Sequence, residues 1–218
     1  MKIILLGAPG CGKGTQGELM SKTYGFPKIS TGDLLRDAVA QGTPLGVEAQ
    51  VVMERGDLIA DDLVIKMVAN RITEPDCSEG YILDGFPRTL FQARALDDMN
   101  NDHREVVIEI DLPDEVVIER LRARRICSSC GTIYNLLNQT PKRENICDVC
   151  SEQLVSRDDD KLDVIRDRLK VYHERTEPLL DYYKAKSNFF QVNGEGTITE
   201  IFARVREILD TALDKPEN

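Results

Sequence analysis

A chain of 218 residues, 41% hydrophobic and 30% charged, can bury one sizeable core, or one core bearing small inserted lobes. A net charge of −10 excludes a general nucleic-acid binder, which needs a basic surface, even though arginines cluster locally. No apolar run approaches the roughly 18 residues needed to cross a bilayer, and no signal-peptide pattern opens the chain, so a cytoplasmic protein is expected. The first element is a continuous apolar run, Lys2–Leu6, read as a buried strand feeding a glycine-rich turn and a helix over Thr15–Tyr24. Lys28–Ser30, Tyr81–Asp84, Val106–Ile110 and Phe189–Val192 read as further strands. Between and after them lie helical patterns over Leu63–Thr73, Leu90–Asn100, Glu115–Arg124, Lys161–Lys186 (broken before Pro178) and Thr199–Leu213. A polar tail, Asp214–Asn218, closes the chain. This alternation predicts an α/β fold on a parallel sheet. Two stretches interrupt it, a helical and polar one over 30–60 and a turn-rich, β-rich one over 123–160. Both read as lobes inserted into a core made of 1–29, 61–122 and 161–218.

The turn after the first strand is Gly7-Ala8-Pro9-Gly10-Cys11-Gly12-Lys13-Gly14-Thr15. A glycine loop between a strand and a helix aims backbone N–H groups and the helix dipole at an anion, and Lys13 adds a mobile charge for β- and γ-phosphates. The match to the usual phosphate-loop pattern is imperfect, because Gly14 follows the lysine and the hydroxyl comes at Thr15. The bland alternative is a tight strand–helix turn with no ligand.

Four of the six cysteines form two C-x2-C pairs, Cys127/Cys130 and Cys147/Cys150, with residues 131–146 between them. In a reducing compartment that spacing reads as a metal site before a disulfide framework. Four thiolates make a closed tetrahedral shell, which suits structural zinc, with iron or cobalt still open. Cys11 reads as a small passive residue and Cys77 as a lone thiol in a loop.

Further motifs follow in order: Thr31-Gly32-Asp33-Leu34-Leu35-Arg36, Asp84-Gly85-Phe86-Pro87-Arg88 with Gln92, Arg120-x3-Arg124, Arg157-x-Asp159-Asp160, Arg166-x-Arg168-Leu169 and Thr176-x-Pro178-Leu179. Together with G-x-P-G-x-G-K-G-T they resemble the nucleoside monophosphate kinase family over nearly the whole chain. The cysteine-bearing insert makes the chain similar to the long-lid bacterial adenylate kinases. The resemblance implies a P-loop NTPase-type five-stranded parallel sheet flanked by helices, with two mobile lobes, one binding the monophosphate and one a zinc-bearing lid. It implies reversible phosphoryl transfer from MgATP to AMP giving two ADP, by a monomer with no membrane or nucleic-acid partner.

Roles carried over by resemblance fall into groups. Lys13, Arg88, Arg124, Arg157 and Arg168 would act on the transferring group, since guanidinium grips phosphate oxygens bidentately. The ATP side would comprise Gly10, Cys11, Gly12, Lys13, Gly14 and Thr15, with Arg120, Arg124, Ile133, Tyr134 and Gly196 around the rest of the nucleotide. The AMP side would comprise Thr31, Arg36, Asp57, Leu58 and Ile59, then Gly85, Phe86, Pro87, Arg88 and Gln92, and Arg157 and Arg168. Gln92 could read an adenine edge with both its donor and its acceptor. Asp84, at the carboxyl end of a strand, suits Mg²⁺ held through water. Asp33, Asp159 and Asp160 could hold arginines or metal-bound water. Arg120 and Arg124, four apart on one predicted helix, would share a face. GTP as donor, or UMP or CMP as acceptor, stays open, as does a non-catalytic zinc-bearing nucleotide sensor or assembly factor. The intact arginine set argues against the sensor.

Overall fold

The computed structural model describes residues 1–99, 103–186 and 188–213. All five residues of β1 (Lys2–Leu6) are buried. Side chains alternate across a strand, so Ile4 and Leu6 enter one apolar cluster while Ile3 and Leu5 enter another. A strand with no solvent face needs cover on both sides, the condition that parallel sheets satisfy with flanking helices. β1 pairs in parallel with β3 (Tyr81–Asp84) and β4 (Glu105–Asp111). β2 (Lys28–Ser30) extends the sheet beyond β3, and β8 (Phe189–Asn193) extends it beyond β4. Among the described residues the result is a five-stranded parallel sheet in the order β2-β3-β1-β4-β8.

α1 (Lys13–Tyr24) and α9 (Ile198–Leu213) cover one face, burying Met20, Ile201, Val205 and Leu209 against Ile3, Leu5, Ile82 and Ile108. α4 (Asp61–Ile72), α5 (Leu90–Asp98) and α8 (Pro178–Lys184) cover the other with Val64, Val68, Ala93, Leu96, Leu179 and Tyr183. Each such aliphatic side chain contributes about 1.5–3 kcal/mol when fully buried, so the sheet's two faces anchor the fold. α6 (Asp114–Ala123) and α7 (Leu162–Val171) form a third cluster, with Val117, Leu121, Ile165 and Leu169 packed under Ala8, Cys11 and Ile110. That cluster supports the glycine loop from below. A Cβ at Gly10, where φ is +85°, would stand 2.6 Å from Leu121 Cγ, so the loop can rest on α6 only through glycine.

Residues 31–54 stand outside the sheet as two helices, α2 (Thr31–Ala40) and α3 (Pro44–Glu54). Ser30 caps the first by accepting from Asp33 N–H, and Thr43 caps the second by accepting from Gly46 N–H, with Pro44 in the first turn. The two backbones touch: a Cβ on Gly46 would lie 2.0 Å from the carbonyl oxygen of Ala38. The cysteine-bearing insert is a small antiparallel sheet in the order β6-β5-β7, from β5 (Arg124–Cys127), β6 (Ile133–Asn135) and β7 (Leu154–Val155).

Two helix expectations need correction. The helix expected over Glu115–Arg124 stops at Ala123, and Arg124 is extended (φ −68°, ψ 138°) because it opens β5, where it pairs with Asn135. Arg120 and Arg124 therefore do not share a helix face. The break expected before Pro178 in the Lys161–Lys186 stretch is met by a wide π turn over Tyr172–Thr176. A proline without an N–H, whose ring crowds the carbonyl four residues back, accounts for the disruption there. The first helix begins at Lys13, two residues before the expected start, so the phosphate-loop lysine belongs to its first turn. The expected end of the helix at Asn100 and the tail Asp214–Asn218 lie outside the described residues.

Candidate active site

The carboxyl ends of β1, β2 and β3 open into one recess, where ligands bind in open parallel sheets. At one end α1 starts at Gly12 (φ +114°) with no side chain capping it, leaving its first-turn amides directed at the recess. Lys13 Nζ donates to the carbonyls of Gly7 (2.7 Å) and Ala8 (2.8 Å) and lies 3.6 Å from Cys11 Sγ. The ammonium is folded over its own loop, within reach of whatever the loop holds. The Asp84 carboxylate leans over the same helix start, its Oδ2 3.3 Å from where a Cβ on Gly14 would be.

At the other end, the β3–α5 turn carries a cis Phe86–Pro87 bond. The Gly85 carbonyl accepts from Thr31 Oγ1 (2.8 Å) and from Arg88 Nε (2.8 Å). Thr176, in the π turn, donates to the Arg88 carbonyl at 3.0 Å. Gln92 is buried at 2% exposure, with Oε1 accepting from Arg88 N–H (2.7 Å) and Nε2 donating to Asp61 Oδ1 (2.7 Å). Thr31, Arg36, Asp57, Leu58 and Ile59 line this end together with Gly85, Pro87, Arg88 and Gln92. Phe86 is fully buried beneath it and belongs to the core.

Arginines cross the middle. Arg124 grips Asp160 bidentately, Nε to Oδ2 at 2.8 Å and Nη2 to Oδ1 at 2.6 Å. Arg168 Nη1 donates to the Asp159 carbonyl (2.9 Å) and meets the carboxylates of Asp159 (3.1 Å) and Asp160 (3.4 Å). Arg36 Nη2 bonds Asp33 at 2.5 Å. Burial alone would raise the Asp33 carboxyl, but Arg36 and Lys28 outweigh it and hold that acid below the usual carboxylate range. Arg88 and Arg157 have no ion pair among the described residues. Burial, with repulsion from neighbouring arginines, pushes each guanidinium down to about 10. Arg157 Nε is buried with no hydrogen-bond partner. Both groups stay cationic at neutral pH, and both environments favour an arriving anion.

Arg120 plays a different part from Arg124. Its Nη2 donates to Gly194 O (2.9 Å) and its Nη1 to Cys11 O (3.3 Å), tying the turn after β8 to the phosphate loop. Gly196 in that turn lines the recess. Cys11 is fully buried and does not line it. Ile133 sits at the rim half-buried, but the Tyr134 ring is buried in the insert, its Oη accepting from Asp148 N–H at 2.7 Å and 3.6 Å from Cys147 Sγ. Cys77 is buried in a 3₁₀ turn beside Arg71, not held in an open loop, and burial pushes its thiol up. Tyr183 is buried in the core and Tyr182 donates to Asp97, so neither faces the recess.

The sulfur atoms of Cys127, Cys130, Cys147 and Cys150 lie within 4.8 Å of one another, a donor set that fits one metal ion. Sequence reasoning missed Asp61 and the holding contact of Thr176. Asp61 carried a faint signal, an acid at the start of a helical pattern, but nothing local pointed 31 residues ahead to Gln92.

A parallel sheet whose first strand runs into a glycine loop, with arginines facing that loop across a recess, is the layout of the P-loop nucleotide kinases as a class. The adenylate kinase family profile matches residues 5–188. The chain is 48% identical over 216 residues to an adenylate kinase of Nitrosococcus oceani, covering 97% of this chain and 100% of that one. It is 47% identical over 213 residues to one of Archaeoglobus fulgidus (96% and 98% covered) and 48% identical to one of Thermodesulfovibrio yellowstonii (96% and 99%). The chain belongs to the adenylate kinase family.

Proposed function

We infer that this chain catalyses reversible transfer of the γ-phosphoryl group of ATP to AMP, giving two ADP. The observation that carries the reading is the pair Arg88 and Arg157, half-buried cations with no carboxylate ion pair among the described residues, between a phosphate loop and the second end of the same recess. Phosphoryl transfer needs little covalent chemistry from a protein; it needs two nucleotides held in line and their charge neutralised. The glycine loop and Lys13 bind the donor's phosphates, with Arg120, Ile133, the Tyr134 backbone and Gly196 around its nucleoside. Thr31, Arg36, residues 57–59, Gly85, Arg88 and Gln92 bind the acceptor. Arg124, Arg157 and Arg168 stabilise the group in flight, and the attacking oxygen is the AMP phosphate itself.

Asp84 would hold Mg²⁺ through water beside the loop, and the bound ion would neutralise charge on the donor's β- and γ-oxygens. The four cysteines would hold one structural Zn²⁺ with no open position for substrate. The two lobes, 30–60 and 123–160, would close over the nucleotides and exclude water, which otherwise accepts the phosphoryl group. A cytoplasmic monomer is the assembly we propose. A coupled assay across four nucleoside triphosphates and four nucleoside monophosphates tests the reading. ATP with AMP should give the highest kcat/KM, and a better pair from any other base would replace the assignment.

A further inference from the structure

Asp61 is the first residue of α4, where the chain returns from the 30–60 lobe to the core. Its two carboxylate oxygens are both occupied: Oδ2 accepts from Thr89 Oγ1 at 2.9 Å and Oδ1 accepts from Gln92 Nε2 at 2.7 Å. Thr89 caps α5, and because its hydroxyl hydrogen is committed to Asp61, its oxygen is left to accept from Gln92 N–H at 3.2 Å. Gln92 is thus held through its backbone and through both ends of its side chain.

The chemical character of these neighbours matters more than their number. A carboxylate only accepts, so the end of the Gln92 amide facing Asp61 must be the NH₂. The Arg88 backbone N–H only donates, so the end facing it must be the carbonyl oxygen. A flipped amide would set oxygen against carboxylate and NH₂ against N–H, losing both bonds at a buried site. Each end keeps one further bonding position, a second hydrogen on Nε2 and a second lone pair on Oε1. We propose that Asp61 is a specificity-determining positioning residue: it fixes the order of donor and acceptor that Gln92 offers to the acceptor base. Adenine presents an N6 donor beside the N1 acceptor, whereas hypoxanthine presents an O6 acceptor beside an N1–H donor. An amide free to flip can meet either edge; an amide locked by Asp61 meets one.

The inference rests on the reading of Gln92 as part of the acceptor site. The bland alternative is that Asp61 only satisfies a buried amide, as buried polar groups generally require. The test compares kcat/KM for AMP with that for inosine monophosphate in the full chain. In Asp61→Asn the new side chain can donate as well as accept, so the preference for AMP should fall by at least about tenfold, through a higher KM for AMP. Asp61→Glu keeps an acceptor-only group and should keep the preference while raising KM for AMP, and it carries the test if Asn at 61 impairs folding. Gln92→Leu separates the two levels. If it leaves the preference unchanged, Gln92 does not read the base and both readings fall. If it lowers the preference while Asp61→Asn does not, or if Asp61→Glu relaxes it as far as Gln92→Leu, Asp61 is merely structural and the proposal alone is overturned.

Discussion

Lys13 shows how little of a functional side chain's worth need be stability. Its two bonds to loop carbonyls, made by a part-exposed ammonium, contribute about 1.5 kcal/mol each. An ammonium that follows charge into a transition state is worth about 10²–10³ in rate. Lys13→Ala should therefore lower kcat by at least about 10²-fold, with a melting temperature only a few degrees lower. Steady-state kinetics beside a thermal melt measure both, and near-normal turnover would remove Lys13 from the chemistry. At this scale the sequence was informative wherever a role is local. The glycine loop, Lys13 and Gly85–Arg88 could be read because spacing along the chain sets their geometry. Asp160 could not be given one role, because its partners Arg124 and Arg168 reach it from β5 and α7. Nor could the sequence say which way the Tyr134 ring points in the turn it shares with Ile133: pairing of β6 with β5 decides which side of the insert it enters.

Among the elements, the insert and the π turn make contrasting cases. The insert's buried cluster comprises Cys127, Tyr134, Cys147 and Leu154, with Cys150 against it, so most of its core consists of the candidate metal ligands themselves. So small a core gives a segment little folding energy of its own, and a bound metal would supply the remainder. Protein expressed without added zinc should carry about one metal per chain, and stripping the metal should melt the insert earlier and weaken ATP binding while some activity survives in the cold. Fewer than about 0.2 metal atoms per chain would refute the site. In the π turn, His173 bridges to α6, with Nε2 2.9 Å from Asp114 Oδ2 and Nδ1 2.8 Å from Glu177 Oε2. Those two hydrogen bonds to carboxylates raise its pKa, which means the protonated ring is preferred when folded. The stabilisation is full below the unfolded value of about 6.5 and is lost as pH climbs through the raised folded value. Solvent screening at this half-exposed site keeps it below about 1 kcal/mol. His173→Gln should lower the melting temperature more at pH 5.5 than at pH 9; equal gaps at both would refute the linkage. Element types were legible from periodicity, but the end of α6 was not. Arginine suits a helix, and only the pairing of Arg124 with Asn135 across β5 and β6 stops it.

For the molecule as a whole, the prediction concerns size. A ligand joining two adenosines through a phosphate chain would occupy both ends of the recess and draw the 30–60 and 123–160 lobes together. Small-angle scattering should report a smaller radius of gyration on saturation, and an unchanged profile would argue against two closing lobes. The acidic net charge hides a cationic recess that the arginine motifs announced, and the fold gathers Arg36, Arg88, Arg124, Arg157 and Arg168 there from five separate stretches of chain. Bidentate bonding of Arg124 to Asp160 joins the first residue of the insert's sheet to a residue two short of α7 on the chain's return. The insert is thus a loop drawn shut at its neck, and Arg168, bonded to Asp159 and Asp160, draws the same neck to α7. Two of the five guanidinium N–H groups of Arg124 tie the neck and three remain for a phosphate. A nucleotide that took hold of those three would pull on the fastening itself, and cargo and drawstring would meet in one side chain.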